Sequence, residues 1–400
     1  MYTPFYPDGW SDAPSTASPV TAAALAHMEA GIAAAADWRN VKDPAYGAVG
    51  DGNHDDTAAV QAALTDAGNA GGGVVFLPTG IYATTAPLVA PSGVTIQGSI
   101  GGTLEKTYYG SSVIKPLPTW AQGSAPAKGA LVIGPASGGY EIAVRRVHMD
   151  LAYQTASADG ISNGGSTNSV LLEDVIVTQA TNGVSVGGGN TWRSHRVNCV
   201  DCENGFNGYG SDSEWVNCES IGAWGSGWTG TNGINTRLIG CRSEWSANYG
   251  YWIQADNTAT GGMEMIGCST DRSGKHGIYV QGSGYWPLLI SNFQGRRDGA
   301  TSTTAGYAAL AVAAGCTNPV IVNGMTVFPG YDDTGQGNET PEYGINVNLG
   351  GAPSFVQVSN AYLHAMSAGV NGVLTSGRAI ASRTGDWWVA GAITVAADTA

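Results

Sequence analysis

The chain has 400 residues, 60 of them glycine, with 43% hydrophobic and 12% charged side chains and a formal net charge of −14. This apolar content excludes a mostly disordered chain, and glycine without a Gly-X-Y period excludes collagen. The acidic balance, uninterrupted by any Lys or Arg cluster, sets aside nucleic acid and anionic membranes as partners, and no run of 18 apolar residues offers a membrane insertion. A length above the roughly 250–300 residues of one compact core requires two domains or an elongated repeat.

In chain order, MYTPFYPDGW lacks the basic and apolar regions of a signal peptide, so folding in a cytoplasm is expected, with the six cysteines reduced. Ser18 can cap a helix with Pro19 in its first position, and Leu25, Met28 and Ile32 then share one face. So narrow a stripe makes no core alone. Trp10 to Ala35 resembles segments near the start of actinobacterial phage tail proteins. The resemblance implies that residues 1–40 attach the chain to phage tail or baseplate proteins, or to copies of itself, and that the finished protein resides in a virion tail.

Next come Asp51-Gly52, Asp55-Asp56-Thr57, a helix over Ala58–Ala67, Gly71-Gly72-Gly73 and the strand Val74-Val75-Phe76-Leu77-Pro78. This order, within Val41 to Gly98, resembles the N-terminal segment of the pectate-lyase-like superfamily, which includes polygalacturonases and many phage tail spikes. It implies an all-β fold, a right-handed parallel β-helix whose short capping helix closes the N-terminal end. Asp55 and Asp56 read as helix caps. Of the polygalacturonase catalytic elements, only Lys275-His276-Gly277 has a partial counterpart, and His276 reads as a solvated turn residue. No calcium-binding cluster is found, so neither metal nor cofactor is expected.

From residue 160 a glycine followed by an apolar residue recurs: Gly160-Ile161, Gly183-Val184, Gly205-Phe206, Gly227-Trp228, Gly250-Tyr251, Gly277-Ile278, Gly306-Tyr307, Gly344-Ile345 and Gly369-Val370. The first four spacings are 22 or 23 residues and later ones are longer, as a solenoid with loop insertions predicts. Each unit also carries a strand ending in cysteine. Side-chain alternation predicts that Cys199, Cys218, Cys241 and Cys268 stack as one buried file, beside Val197, Val216, Ile239 and Ile266. Cysteines in equivalent positions read as core, not as metal ligands.

Aligning turns on the cysteines puts Glu244 and Asp271 in equivalent places on consecutive turns, ~4.8 Å apart along the backbone. Two carboxyls at that spacing suit glycoside hydrolysis, one as general acid and the other as base or nucleophile; solvated turn carboxylates are the competing reading. Glu219 should meet Arg242 as a surface ion pair. Counting two residues past the turn glycine makes Trp252 and Tyr279 outward neighbours, with Trp224, Trp245, Tyr249, Tyr285 and Trp286 in adjoining loops. Flat rings with polar tips suit sugar faces, and subunit contact is the rival use. Phe206, Trp228 and Tyr251 should point inward.

The expected organisation is a virion-attachment or oligomerisation segment (1–40), a parallel β-helix (41–375) and a C-terminal cap or subunit-contact segment (376–400). The expected function is a homotrimeric phage tail spike or tail fibre that recognises, and in one version depolymerises, a host surface polysaccharide. A non-catalytic adhesive tail protein and a cellular pectate-lyase-like enzyme stay open as alternatives.

Overall fold

The computed structural model describes residues 38–99, 111–121, 128–151, 158–231, 233–255, 261–284, 287–302, 304–330, 340–349, 355–365, 368–371, 376–381 and 386–396, with helical residues at 23 and 25–28. Between Trp38 and Asn371 the registered strand pairs among these residues are parallel, and they build a right-handed parallel β-helix. One sheet is 11-stranded and runs from Leu88–Ala90 to Ala368–Asn371; the other strands form a 22-stranded assembly.

A turn of the coil has a simple anatomy. Thr236–Ile239 is followed by Gly240, then Arg242–Glu244, Trp245 and finally Tyr251–Ala255 in the 11-stranded sheet. The next turn repeats this with Met263–Ile266, Gly267, Ser269–Asp271, Arg272 and Ile278–Gly282. The residues between the first two strands lie in the left-handed region at φ near +50° to +76°: Arg146, Asp174, Arg196, Asn217, Gly240, Gly267, Asn292, Gly324 and Asn360 stand one per turn. That conformation bends the chain sharply, and Gly, Asn and Asp adopt it at least cost.

This bend corrects the predicted thiol file. Val197 is in register with Cys218, and Cys199 with Ser220, so Cys199 stands one file over. Cys218, Cys241 and Cys268 do stack on successive turns, followed by Phe293, and all three thiols are buried. Val216, Ile239 and Ile266 do not share their face, because the left-handed residue between each pair reverses it; Ile266 is 37% exposed. The glycine register also needs one correction: Ile278 pairs with Leu310, so Ala309-Leu310, not Gly306-Tyr307, continues the file.

The core is a stack of side chains inside the coil. Phe206 and Trp228 lie face to face with centroids 3.8 Å apart, Tyr251 follows Trp228 at 5.8 Å, and Trp215 meets both Phe206 and Trp228 edge-on. The helix, here α1, spans Thr57–Asn69 and buries Val60, Ala63, Leu64 and Ala67 against the first turns. Gln61 closes the exposed edge of Leu88–Ala90: its Oε1 accepts the Val89 N–H at 2.8 Å and its Nε2 donates to the Val89 carbonyl at 3.1 Å. Only Asp55 behaves as a cap, accepting the Thr57 N–H at 3.0 Å. Asp56 is buried and turns backward, to the N–H groups of Val49 and Gly50. At the far end Asp386–Ala396 runs antiparallel to Phe355–Ser359, Ala361–His364 and Ser376–Ala381, which ends the parallel winding. Among the described residues no helix is long and apolar enough to cross a membrane.

Candidate functional site

Alternation in the 11-stranded sheet sends Tyr251 and Ile278 inward and Trp252 and Tyr279 outward. The register makes the latter direct neighbours, in a file that reads Ser185, Asn207, Thr229, Trp252, Tyr279 and Ala311. Gln254 and Gln281 form the next outward pair, and all four side chains are half-buried. Flat apolar faces thus stand beside amide donors and acceptors.

The corner before these strands completes the platform. Tyr249 lies 4.9 Å from Tyr279 and 5.6 Å from Trp252 between ring centroids. His276 stacks on both Tyr249 and Tyr279, at 5.8 Å and 5.2 Å, and meets Tyr307 edge-on. His276 is 6% exposed, which corrects the expected solvated turn histidine. Burial, followed by the neighbouring Lys275 charge, pushes its pKa down to about 4. It is therefore neutral near pH 7. Its Nδ1 accepts the Ala308 N–H at 3.1 Å, which leaves the ring proton on Nε2. Lys275 Nζ stands 5.5 Å over the Tyr249 ring, so one cation borders the platform.

Glu244 and Asp271 are in direct register on consecutive turns. Both are engaged by arginine. Arg297 Nε and Nη2 each donate to Asp271 at 2.7 Å, and Arg296 Nη2 donates as well. Burial raises the Asp271 pKa, but the Arg297 and Arg296 guanidiniums outweigh it and hold the carboxyl below its ordinary value. Asp271 is thus an ionised carboxylate without a proton to give. Arg242 pairs with Glu244 on its own strand and with Glu219 at 3.4 Å, as the register predicted, but Glu219 is buried, so the pair is not the expected surface one.

The other sequence-predicted aromatics divide. Trp224 is 50% exposed, one turn before the platform corner. Trp245 lies at the second corner with its ring under two guanidiniums, Arg272 at 4.8 Å and Arg297 at 5.7 Å, so its face is already used. Tyr285 and Trp286 lie outside the described residues. Sequence reasoning missed the roles of His276 and Tyr307. The signal for His276 was its place one turn above Tyr249; Tyr307 carried a misleading one, since Gly306-Tyr307 imitates the repeat. Among the described residues no group of three His, Cys, Asp or Glu side chains could hold a metal ion.

Residues 38–123 match the family model described as rhamnogalacturonase A/epimerase, pectate lyase-like. Over 84 residues the chain is 43% identical to mannuronan C5-epimerase AlgE3 of Azotobacter vinelandii, which is 21% of this chain and 4% of that protein. The curated relatives it matches are covered over only 4% to 14% of their length. Among solved structures, the A-module of mannuronan C-5 epimerase AlgE6 from Azotobacter vinelandii is similar at 18% identity and a TM-score of 0.56, over 83% of this chain and 98% of that one. A mutant tailspike protein of E. coli bacteriophage HK620, in complex with a pentasaccharide, is similar at 13% identity and a TM-score of 0.63, over 86% and 65%. At these identities the likeness is one of fold.

Proposed function

From the premise of a parallel β-helix that carries a pectate-lyase-like domain at residues 38–123, we propose that this chain is a bacteriophage tail spike or tail fibre subunit that recognises a host surface polysaccharide. On this reading it works as a homotrimer and attaches to the tail through residues 1–40. The observation that carries the glycan part is the outward Trp252–Tyr279 pair, braced by Tyr249 and His276 and flanked by Gln254 and Gln281. Aromatic faces gain from apolar contact with sugar rings, while amides satisfy hydroxyls that would otherwise lose water. The tailspike fold and the polysaccharide-acting names of the relatives are consistent with it.

The test is binding of full-length protein to polysaccharide extracted from host envelopes. Trp252→Ala or Tyr279→Ala should each weaken affinity by about tenfold, the worth of one aromatic contact. Unchanged affinity would reject this face, and a changed oligomeric state instead would make it a subunit contact. A second reading, hydrolysis, draws on the register of Glu244 with Asp271. Because Asp271 is held ionised, Glu244 would have to be the acid. New reducing ends that vanish in Glu244→Gln support cleavage there; binding without products supports pure recognition.

A further inference from the structure

The outer face of the first turns carries a second surface of mixed aromatic and polar make-up, which the reading above leaves unused. Trp38 opens the first strand, Trp38–Asn40, and is 54% exposed. It leans on Phe76 with centroids 5.7 Å apart and planes tilted by 54°. From Phe76 an outward file runs in register through Gln97, Arg145 and Glu173 on the next three turns. At ~4.8 Å per turn it is about 14 Å long. Trp38 and this file, with Gly98, Ser99 and Arg146, line a groove of about 470 Å³.

The charged groups in the groove form surface ion pairs. Arg145 Nε lies 3.3 Å from Glu173 Oε2, and Arg146 Nε lies 4.0 Å from Asp174 Oδ2. Their half-exposed guanidiniums present donors toward the groove, and Glu173, paired with Arg145 on one oxygen and with Arg196 at 3.4 Å on the other, adds carboxylate lone pairs beside them. A flat ring followed by amide, guanidinium and carboxylate at even steps has little to offer an acyl chain or an apolar helix. It matches a linear glycan, whose rings stack on an indole and whose hydroxyls repeat along the chain.

We infer that this groove is a second polysaccharide subsite, with Trp38 as its platform and Gln97, Arg145 and Glu173 as its polar rail. It lies on a different sheet from Trp252 and Tyr279. Three turns separate Glu173 from Ile239, the strand residue on the Trp252 turn. The ligand class rests on the glycan reading; the site itself does not. Two subsites on one shaft let a long polymer bind more tightly than either site alone would allow.

Isothermal titration of full-length protein with alginate and laminarin, each as polymer and as hexasaccharide, tests this. The expected result is two hexasaccharide sites per chain, one lost in Trp38→Ala and the other in Trp252→Ala. Polymer affinity should fall about tenfold in either variant. Arg145→Gln should act in the same direction as Trp38→Ala. One site that persists in both Trp38→Ala and Arg145→Gln but disappears in Trp252→Ala overturns the second subsite alone. One site that disappears only in Trp38→Ala overturns the Trp252 reading alone. No binding of any probe counts against both. A drop in oligomer mass on Trp38→Ala would make the groove a subunit contact and overturn the inference.

Discussion

Asp298 lies fully inside the coil, with its Oδ2 accepting from Thr270 Oγ1 at 2.6 Å and its Oδ1 accepting from the Ser273 N–H at 3.2 Å. Burial pushes its pKa up to about 7 against the pull of those bonds. Asp271 shows the opposite outcome, since two guanidiniums keep it ionised despite burial. An unfolded aspartate titrates near ~3.9, so between about pH 4 and about pH 7 the folded state holds a proton that the unfolded state releases. The stability this contributes is therefore present in acid and lost as pH rises through about 7. Relative to Asp298→Asn, whose side chain is neutral throughout, the parent's melting temperature should fall between pH 4 and pH 7. Parallel melting curves would show that Asp298 is not protonated in the fold. Nothing in the run Gln294-Gly-Arg-Arg-Asp298 distinguishes it from surface charge, because burial belongs to the coil and not to the local sequence.

Elements of the 11-stranded sheet begin at a file of glycines, and the reason is close approach between turns. A Cβ on Gly205, Gly227 or Gly250 would stand 2.6–2.8 Å from the carbonyl oxygen of the next glycine in the file. At Gly227 it would also meet Ser243 Oγ at 2.0 Å. Backbone cannot retreat without breaking the ladder on both sides. Gly227→Ala should thus cost about 1–3 kcal/mol by overpacking, read from urea denaturation. Gly188→Ala, where a Cβ meets nothing within 4 Å, is the control. Equal stability of the two variants would reject close approach as the reason for the repeat. The glycine period was legible in the sequence. Its interruption at Ala309 was not, because insertions before that strand shift the count while pairing holds the register.

Over the whole molecule the parallel ladder needs an end at each side, since an uncovered edge strand recruits other chains. At one end helix α1 packs on the first strands and Gln61 hydrogen-bonds the Leu88–Ala90 edge; at the other, Asp386–Ala396 pairs antiparallel with strands of the 22-stranded assembly. A homotrimer remains the assembly proposed for the shaft. Sedimentation equilibrium should give three times the 40.8 kDa of one chain, and a monomer at micromolar concentration would reject it. Because the chain carries a net charge of −14, an anionic sugar would meet local positive charge chiefly at spots such as Lys275 or the Arg145–Arg146 pair.

The sequence by itself determined the solenoid, the inward stack of Phe206, Trp228 and Tyr251, and the pairing of Glu244 with Asp271 and of Trp252 with Tyr279. These follow from strand alternation and a count per turn, both of which are local. Only the tertiary structure decided what surrounds those pairs. Left-handed corners moved Cys199 out of the thiol file, while the stacking of turns set arginines beside both carboxyls and brought Tyr249, His276 and Tyr307 together from three turns. A corner's direction depends on one backbone dihedral that several residue types can adopt, and neighbours across turns are set by stacking, which no single turn records.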